Sequence, residues 1–395
     1  MKSWNLILLG FSLFLPYMGT LGWYTIINCV IVLVFCFLFL NKNLVFNKPD
    51  ILLQGLWLVL FVLSCIVSIL NNKPLVFNDF SDLLFFLFLI VSSVKPVYHF
   101  HRAALIIFWI LGVYTVVNSI VIIITTYRIF DLSMFLAETP NFDLDYISLR
   151  AVGLNGQPGK LALFSAFSII VFSRVRSELK LITRNTWLPF FVVLSAFNSV
   201  MSFSRIGIVI TIVSFVLLSS RLKIVLFVML LLGSSYAVNK HPEKIKLLFR
   251  SDSITKVDAS SLDNRLILRR EAFKVVFKNP VNFILGFGPS KICADNIVIP
   301  IRHHSLRYPD SSITLNAFRY GILSLVLSAF FFTRRYLLSI KQKKEIKYNF
   351  LIIFVILVAA SLDPIFHDIK LLILLFFLSQ IRQLSGDKNV GKTAA

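Results

Sequence analysis

Long apolar segments recur along the chain and are separated by short polar stretches. Each run is continuous and close to the length of a membrane-crossing helix, about 20 residues, whereas a strand of a transmembrane barrel alternates apolar and polar positions. The pattern therefore predicts an all-α, polytopic integral membrane protein with a single transmembrane domain over residues 1–395. The twelve predicted spans are residues 5–20, 22–40, 51–70, 79–95, 103–127, 157–173, 187–203, 205–219, 222–239, 311–333, 349–362 and 367–381.

The amino-acid composition excludes an ordinary soluble domain. Hydrophobic residues make up 57% of the chain and charged residues 15%, whereas soluble domains contain about 45–50% apolar and about 25% charged residues. Three of the four cysteines lie inside predicted spans and the fourth stands alone in a loop, so no zinc-type cluster is predicted. We therefore predict neither a metal site nor a cofactor.

Basic residues outnumber acidic residues and give the chain a formal net charge of +21. In a soluble protein this charge would suggest nucleic acid, but in a membrane protein Lys and Arg collect in cytoplasmic loops. When the N-terminus is placed in the cytoplasm, the basic connections fall inside, including six basic residues between Arg334 and Lys347. The first run is taken as a span rather than a signal peptide, because a second run follows it at once. The pattern predicts two cytoplasmic termini and no nucleic-acid partner.

Two of the predicted outer loops are long, at residues 128–156 and 240–310. Loops of this length in a compact protein are usually functional. The second loop contains a predicted helix over residues 261–278, which Ser261 begins and Asn279-Pro280 ends.

The charged residues of this loop helix do not all share one face. Steps of about 100° per residue place Arg270, Lys274 and Lys278 together on a polar face. Arg265 and Arg269 fall instead among the apolar residues of the opposite face. Such arginines either reach out to lipid headgroups or meet a buried anion.

Several further basic residues lie at the predicted outer ends of spans, against the usual inside bias. The whole outer set has too few acidic neighbours to form only an ion-pair network. Its natural partner is a phosphorylated ligand, because a guanidinium group binds phosphate through two parallel hydrogen bonds. The alternative for each residue alone is anchoring at the membrane interface. The residues predicted to bind the phosphorylated ligand are Arg150, Lys160, Arg205, Arg265, Arg269 and Arg319.

Three short segments add local chemistry. Ser204-Arg205-Ile206-Gly207 begins a span directly after the previous one, which places Arg205 at a helix N-terminus, where backbone N–H groups favour an anion. Gly286-Phe287-Gly288 predicts a structural turn, because no Lys-Ser/Thr completes a phosphate-binding loop. His303, His304 and Asp310 precede the tenth span and are candidates for a general base; the alternative for the histidines is an exposed pair.

The order of these motifs resembles the O-antigen polymerase and O-antigen ligase superfamily of bacterial envelope enzymes. The resemblance extends over residues 145–330. In the ligases a His-Asn pair often stands where this chain has Asp310-Ser311, so the departure favours a polymerase. The motifs are Arg150-Ala151-Val152-Gly153, Ser204-Arg205-Ile206-Gly207, Arg265 before Asn279-Pro280, Gly286-Phe287-Gly288, Asp310-Ser311 and Arg319-Tyr320-Gly321-Ile322.

The resemblance implies a glycosyltransferase of GT-C-like architecture in the bacterial inner membrane, acting in lipopolysaccharide or related polysaccharide biosynthesis. Its donor and acceptor would be glycans linked to undecaprenyl pyrophosphate, joined on the periplasmic face. Arg205 and Arg265 would then be catalytic by stabilising the departing pyrophosphate, and His303, His304 or Asp310 would supply the base. A chain-length regulator and a flippase in the same membrane are the implied partners.

Two other functions remain open from the sequence. A ligase that transfers the polymer to the lipid A core shares the donor and the architecture. A transporter or flippase for a lipid-linked sugar would predict two related halves, charges near the bilayer midplane and small outer loops. This chain instead has clustered outer charges and one dominant outer loop, which favours the polymerase.

Overall fold

Helices make up most of the part of the chain that the structure, a computed structural model, describes. The helices with defined bounds are, in chain order, α1 (Lys48–Leu70), α2 (Phe100–Thr126), α3 (Pro158–Glu178), α4 (Trp187–Met201), α5 (Arg205–Phe215), α6 (Pro280–Leu285) and α7 (Ser312–Thr333). Further helical residues include 10–11, 269–270, 272–277, 352–358, 360–361, 370–375 and 377. Short 3-10 turns occupy Ser12–Phe14 and Gly153–Asn155. The described residues are 7, 10–14, 48–71, 75, 100–130, 151–178, 187–202, 204–215, 269–270, 272–289, 299–301, 304–306, 311–334, 352–358, 360–361, 368, 370–375 and 377.

Within these residues, four helices are long and apolar enough to cross a membrane: Ile51–Leu70, Ala104–Thr126, Pro158–Val175 and Ser312–Thr333. They coincide within a few residues with the predicted spans 51–70, 103–127, 157–173 and 311–333. The chain therefore has the helices of a membrane-embedded protein. The total of twelve spans, the sidedness of the two long loops and the single domain over 1–395 stay predictions. Predicted spans 22–40, 79–95 and 222–239 lie outside the described residues.

A short antiparallel hairpin interrupts the helical pattern inside the predicted loop 240–310. Its strands are β1 (Ile299–Ile301) and β2 (His304–Leu306), and Ile301 pairs with His304 beside the connection. The all-α prediction contained no strand here, because three-residue strands are too short to show an alternating pattern.

The chain divides into two compact units. The first comprises residues 1–43, 96–252 and 373–395, and the second comprises residues 44–95 and 253–372. Helices α2 to α5 belong to the first unit, and α1, α6, α7 and the hairpin belong to the second.

Aromatic side chains hold the first unit together. Phe108 of α2, Phe172 of α3 and Phe191 of α4 pack with ring centroids 5.3 to 5.8 Å apart. Gly112 of α2 lies directly against the Phe191 ring, so a side chain at this position would overlap it. Helix α3 is buried along almost its whole apolar length, and the buried residues include serines and two basic side chains, Lys160 and Arg174.

A second aromatic group joins α1 to α7 in the second unit. Trp57 and Phe61 of α1 contact the buried ring of Tyr320 in α7, with centroid distances of 5.9 and 6.1 Å. The Ser64 hydroxyl donates to the Leu285 carbonyl at 2.8 Å, which attaches the end of α6 to α1. The short helix α6 is thus fixed to a helix of membrane-crossing length.

Candidate functional site

The segment that follows Arg150 is a buried loop fixed to its neighbours by hydrogen bonds. The backbone N–H of Ala151 donates to the Met201 carbonyl at the end of α4 (3.1 Å). The N–H of Leu154 donates to the Asn118 side chain in α2 (2.7 Å). Residues 151–156 are almost entirely buried, so the backbone beside Arg150 has a defined place. Arg150 itself lies outside the described residues.

The same loop uses two further features of α2. The Tyr114 hydroxyl donates to the Asn155 side-chain oxygen at 2.9 Å. Gly153 has φ +52 and lies directly against the Asn118 side chain, so a larger residue would both strain the backbone and overlap that amide. The Asn155 Nδ2 group is buried and has no hydrogen-bond partner among the described residues. It is therefore a spare donor in the buried loop that precedes α3.

Helices α2 and α4 are joined by a buried polar layer that the sequence analysis missed. The Ser119 hydroxyl donates to Asn198 Oδ1 at 2.8 Å, and Asn198 Nδ2 donates to the Thr115 carbonyl at 3.3 Å. The available signal was Asn198 in one apolar run and Thr115 and Ser119 in another, because polar groups in membrane helices are usually paired across an interface.

The turn between α4 and α5 places Arg205 as predicted, at the start of a helix. Ser202 accepts a hydrogen bond from the Ser204 N–H (3.1 Å) and donates to the Ser199 carbonyl (2.6 Å). The Ser204 hydroxyl accepts from the Gly207 N–H at 3.4 Å, so Ser204 is the N-cap and α5 begins at Arg205. Only the backbone of Arg205 is described.

The N-terminal ends of α3 and α5 meet. Gly207 of α5 lies so close to Ala162 of α3 that a methyl group at residue 207 would overlap the alanine. Lys160, in the first turn of α3, is only 6% exposed. Together with the Ala151 hydrogen bond, this contact brings together the three segments that carry Arg150, Lys160 and Arg205.

In the second unit, α7 is broken at Gly321. The residue has φ +70 and ψ −174, which ends the helical hydrogen-bond pattern. The carbonyl groups of Phe318 and Arg319 accept instead from the N–H groups of Phe287 and Gly288, each at 2.9 Å. The Arg319 side chain beside the break is 3% exposed.

The glycine turn at residues 286–288 fits this break closely. Gly288 has φ +92, and an added Cβ would lie 2.5 Å from the Ser64 carbonyl oxygen. The Phe287 ring stacks on Phe318 at 4.9 Å. The turn is structural, as predicted, but its partner is the second glycine motif at residues 319–322. The two motifs therefore form one backbone arrangement next to Arg319.

One helical turn before Arg319, Asn316 has a buried side-chain nitrogen with no hydrogen-bond partner among the described residues. The Asn316 carbonyl accepts from Ser324 at 3.1 Å, and the same hydroxyl donates to the Gly321 carbonyl at 2.7 Å. The Ser324 hydroxyl thus bonds to the backbone carbonyl groups of Asn316 and Gly321. The side-chain amide of Asn316 is left as a spare donor. Asn316 was not predicted from the sequence.

The described part of the loop helix covers residues 269–270 and 272–277. Ala272 and Val276 are buried, whereas Arg270, Lys274 and Lys278 are exposed, as the helical phase predicts. Arg269 has intermediate exposure, so it differs from the three exposed cations.

Helix α6 begins directly where this helix ends, and α6 was not predicted from the sequence. Asn279 is the N-cap of α6 and accepts from the Val281 N–H at 2.9 Å, and Pro280 is the first helical residue. The Asn279-Pro280 pair thus ends one helix and starts the next.

The structure describes only one of the other predicted site residues. Arg265, His303 and Asp310 lie outside the described residues, and His304 is described only as part of β2. Ser311 is the N-cap of α7 and accepts from the Thr314 N–H at 3.2 Å. No group of His, Cys, Asp or Glu that could hold a metal occurs among the residues that the structure describes.

The sequence matches no protein-family model and no curated protein. The family resemblance therefore rests on the order of the motifs, and the chemistry that it implies is a proposal.

Proposed function

We propose that this chain polymerises glycan repeat units linked to undecaprenyl pyrophosphate, on the periplasmic face of the bacterial inner membrane. The observation that carries the proposal is the meeting of the N-terminal ends of α3 and α5. It brings the segments of Arg150, Lys160 and Arg205 into contact at the end of a helix of membrane-crossing length. In the predicted topology this end faces the periplasm. Basic groups at a membrane edge suit a ligand with a lipid tail and a pyrophosphate head.

In the proposed reaction, a hydroxyl group of the acceptor repeat unit attacks the anomeric carbon of the donor chain. The new glycosidic bond forms as the bond between that carbon and the pyrophosphate oxygen breaks. The hydroxyl proton passes to a base, for which His303, His304 and Asp310 are the candidates. A guanidinium group stabilises the negative charge that develops on undecaprenyl pyrophosphate, and Arg205 and Arg265 are the candidates for this role.

The second unit supplies a similar environment around Arg319. Its side chain is buried beside the break in α7, and Asn316 offers a spare amide donor one turn away. Charged side chains inside apolar helices often mark functional sites. Arg269 and Arg319 remain proposed members of the pyrophosphate-binding set.

A strain that lacks the gene tests the proposed activity. Surface lipopolysaccharide or capsule from this strain, separated on a gel, should contain single-repeat material instead of a ladder. The intact gene should restore the ladder. Unpolymerised single repeats on the core would be consistent only with a polymerase, whereas unattached full-length polymer would indicate the ligase. Acceptor-swap assays with the purified protein separate these two activities directly.

A lipid-linked sugar transporter is the second candidate, and the break in α7 favours it. Discontinuous helices in transporters line substrate sites near the bilayer midplane. The distinguishing measurement is the sidedness of the lipid-linked repeat unit in the deletion strain. A transporter defect traps the unit on the cytoplasmic face, whereas a polymerase defect leaves it on the periplasmic face.

A further inference from the structure

We propose that the elbow formed by residues 269–285 docks on an anionic lipid surface through its exposed face. The elbow consists of the end of the loop helix, the Asn279-Pro280 turn and α6. This inference is independent of the proposed function, because it concerns the bulk lipid around the protein.

The exposed face combines positive charge with apolar surface. Arg270, Lys274 and Lys278 are exposed on the loop helix, and Phe277 beside them is 59% exposed. Helix α6 continues the apolar surface with Val281 and Ile284, which are 52% and 48% exposed. This pairing of basic and apolar groups is typical of helices that lie in the membrane interface.

The aromatic rings on this face are held in place. The Phe277 ring packs against Phe273 at 6.1 Å and against Phe283 at 5.1 Å. Between the rings and the cations lies a shallow groove of about 640 Å³, lined by Arg270, Phe273, Lys274, Phe277 and Lys278. An acyl chain suits its apolar floor, and a phosphodiester suits its basic rim.

The elbow is attached to helices that are long and apolar enough to cross a membrane. Leu285 at its end accepts from Ser64 of α1, and the following residues pair with the backbone of α7. Ser64 lies six residues before the end of α1, or about 9 Å along the helix at 1.5 Å per residue. A bilayer around these two helices would therefore lie next to the elbow, which favours a lipid surface over a soluble polyanion.

Hydrogen exchange of the full-length protein in nanodiscs tests the proposal. Nanodiscs of phosphatidylcholine alone are compared with nanodiscs that also contain phosphatidylglycerol. We expect phosphatidylglycerol to slow amide exchange in peptides covering residues 269–285. Each single substitution of Arg270, Lys274 or Lys278 by Gln should reduce this slowing about fivefold, the equivalent of about 1 kcal/mol per basic residue near an anionic surface. The triple variant should lose it.

Matched controls separate docking from general effects of charge and apolar surface. A triple variant of Lys341, Lys343 and Lys344 to Gln removes the same charge elsewhere and should keep the slowing. Phe277→Ser should weaken it, whereas Phe330→Ser, at a residue of α7 that is 52% exposed, should not.

Three outcomes would overturn the inference. The first is equal exchange of the wild-type elbow in both lipid compositions. The second is equal slowing by inorganic pyrophosphate in phosphatidylcholine nanodiscs, which would indicate a phosphate site. The third is equal slowing by a soluble acidic polysaccharide, which would indicate a glycan platform.

Discussion

Lys160 and Arg319 are almost fully buried in helices that otherwise consist mainly of apolar and hydroxyl residues. Each unit also contains an asparagine with a spare buried amide donor: Asn155 in the loop before α3, and Asn316 one helical turn before Arg319. A buried donor that is left unsatisfied costs about 1–3 kcal/mol, and such groups in native proteins call for an explanation. A polar ligand that accepts these hydrogen bonds would account for both.

Arg205 provides a test of phosphate binding at a single residue. If its guanidinium group binds pyrophosphate, Arg205→Lys should fail nearly as badly as Arg205→Ala, because an ammonium group cannot form the two parallel hydrogen bonds. The measurement is the polymer ladder at matched protein level. A full ladder from the Lys variant would show that the residue only anchors the start of α5.

The five basic residues of the loop helix form an internally controlled series. Alanine at Arg265 or Arg269 should abolish polymer, because loss of a contact to a developing charge costs about 2.7–4 kcal/mol, or two to three decades of rate. Alanine at Arg270, Lys274 or Lys278, one at a time, should leave a normal ladder, because an exposed surface change alters stability by no more than about 0.5 kcal/mol. The reverse order of effects would mean that the opposite face binds the substrate.

At the scale of elements, the apolar runs predicted where the long helices lie but not how they are shaped. The starts of α3, α4, α5 and α7 fall within a residue of prediction. The break at Gly321 was not predicted, because a hydrophobic run predicts one continuous helix and gives no information about a positive φ at a single residue. Both halves of the contact, residues 286–288 and 319–322, were recognised as motifs. Their pairing depends on a tertiary contact that local sequence does not contain.

The break in α7 predicts that its glycine cannot be replaced without loss of stability. Gly321→Ala should destabilise the protein and remove polymer, because this backbone conformation costs a residue with a Cβ about 1–3 kcal/mol and the added methyl overlaps Ile284. Gly288→Ala should act in the same direction through Ser64. Thermal unfolding of the solubilised protein and the polymer ladder measure the two effects.

Gly55 of α1 is the matched control, because a Cβ there meets nothing within 4 Å. Gly55→Ala should be neutral or slightly stabilising, since alanine is favoured over glycine in a helix by roughly 0.5–1 kcal/mol. Wild-type stability for Gly321→Ala would show that α7 is continuous and that the described break is wrong.

For the molecule as a whole, composition and charge predicted a membrane protein, and the four helices of membrane-crossing length support that coarse statement. The candidate site was predictable in part. The segments of Arg150, Lys160 and Arg205 were chosen by their charge at span ends, and the structure brings them together. Asn118, Asn155 and Asn316 were not predicted, because an isolated amide, whether in an apolar run or in a loop, does not indicate which neighbour it will contact.

Topology is the whole-molecule prediction. Residues 240–310 should face the periplasm and residues 341–347 the cytoplasm, because Lys and Arg collect on the cytoplasmic side. Reporter fusions at residues 258 and 344 should therefore give opposite signals with an enzyme that is active only outside. Matching signals at the two positions would contradict the twelve-span arrangement.

The pairing of the 286–288 turn with α7 also bears on how the protein is made. The turn is synthesised before α7. The carbonyl groups of Phe318 and Arg319 accept their hydrogen bonds only when the turn packs against α7. Unsatisfied backbone groups cost several kcal/mol each in lipid. Correct packing of α7 is therefore coupled to the placement of an earlier segment of the chain. We expect substitutions in the 286–288 turn to disturb the packing of α7, although they lie outside that helix. Membrane quality-control proteases should then degrade the variant protein.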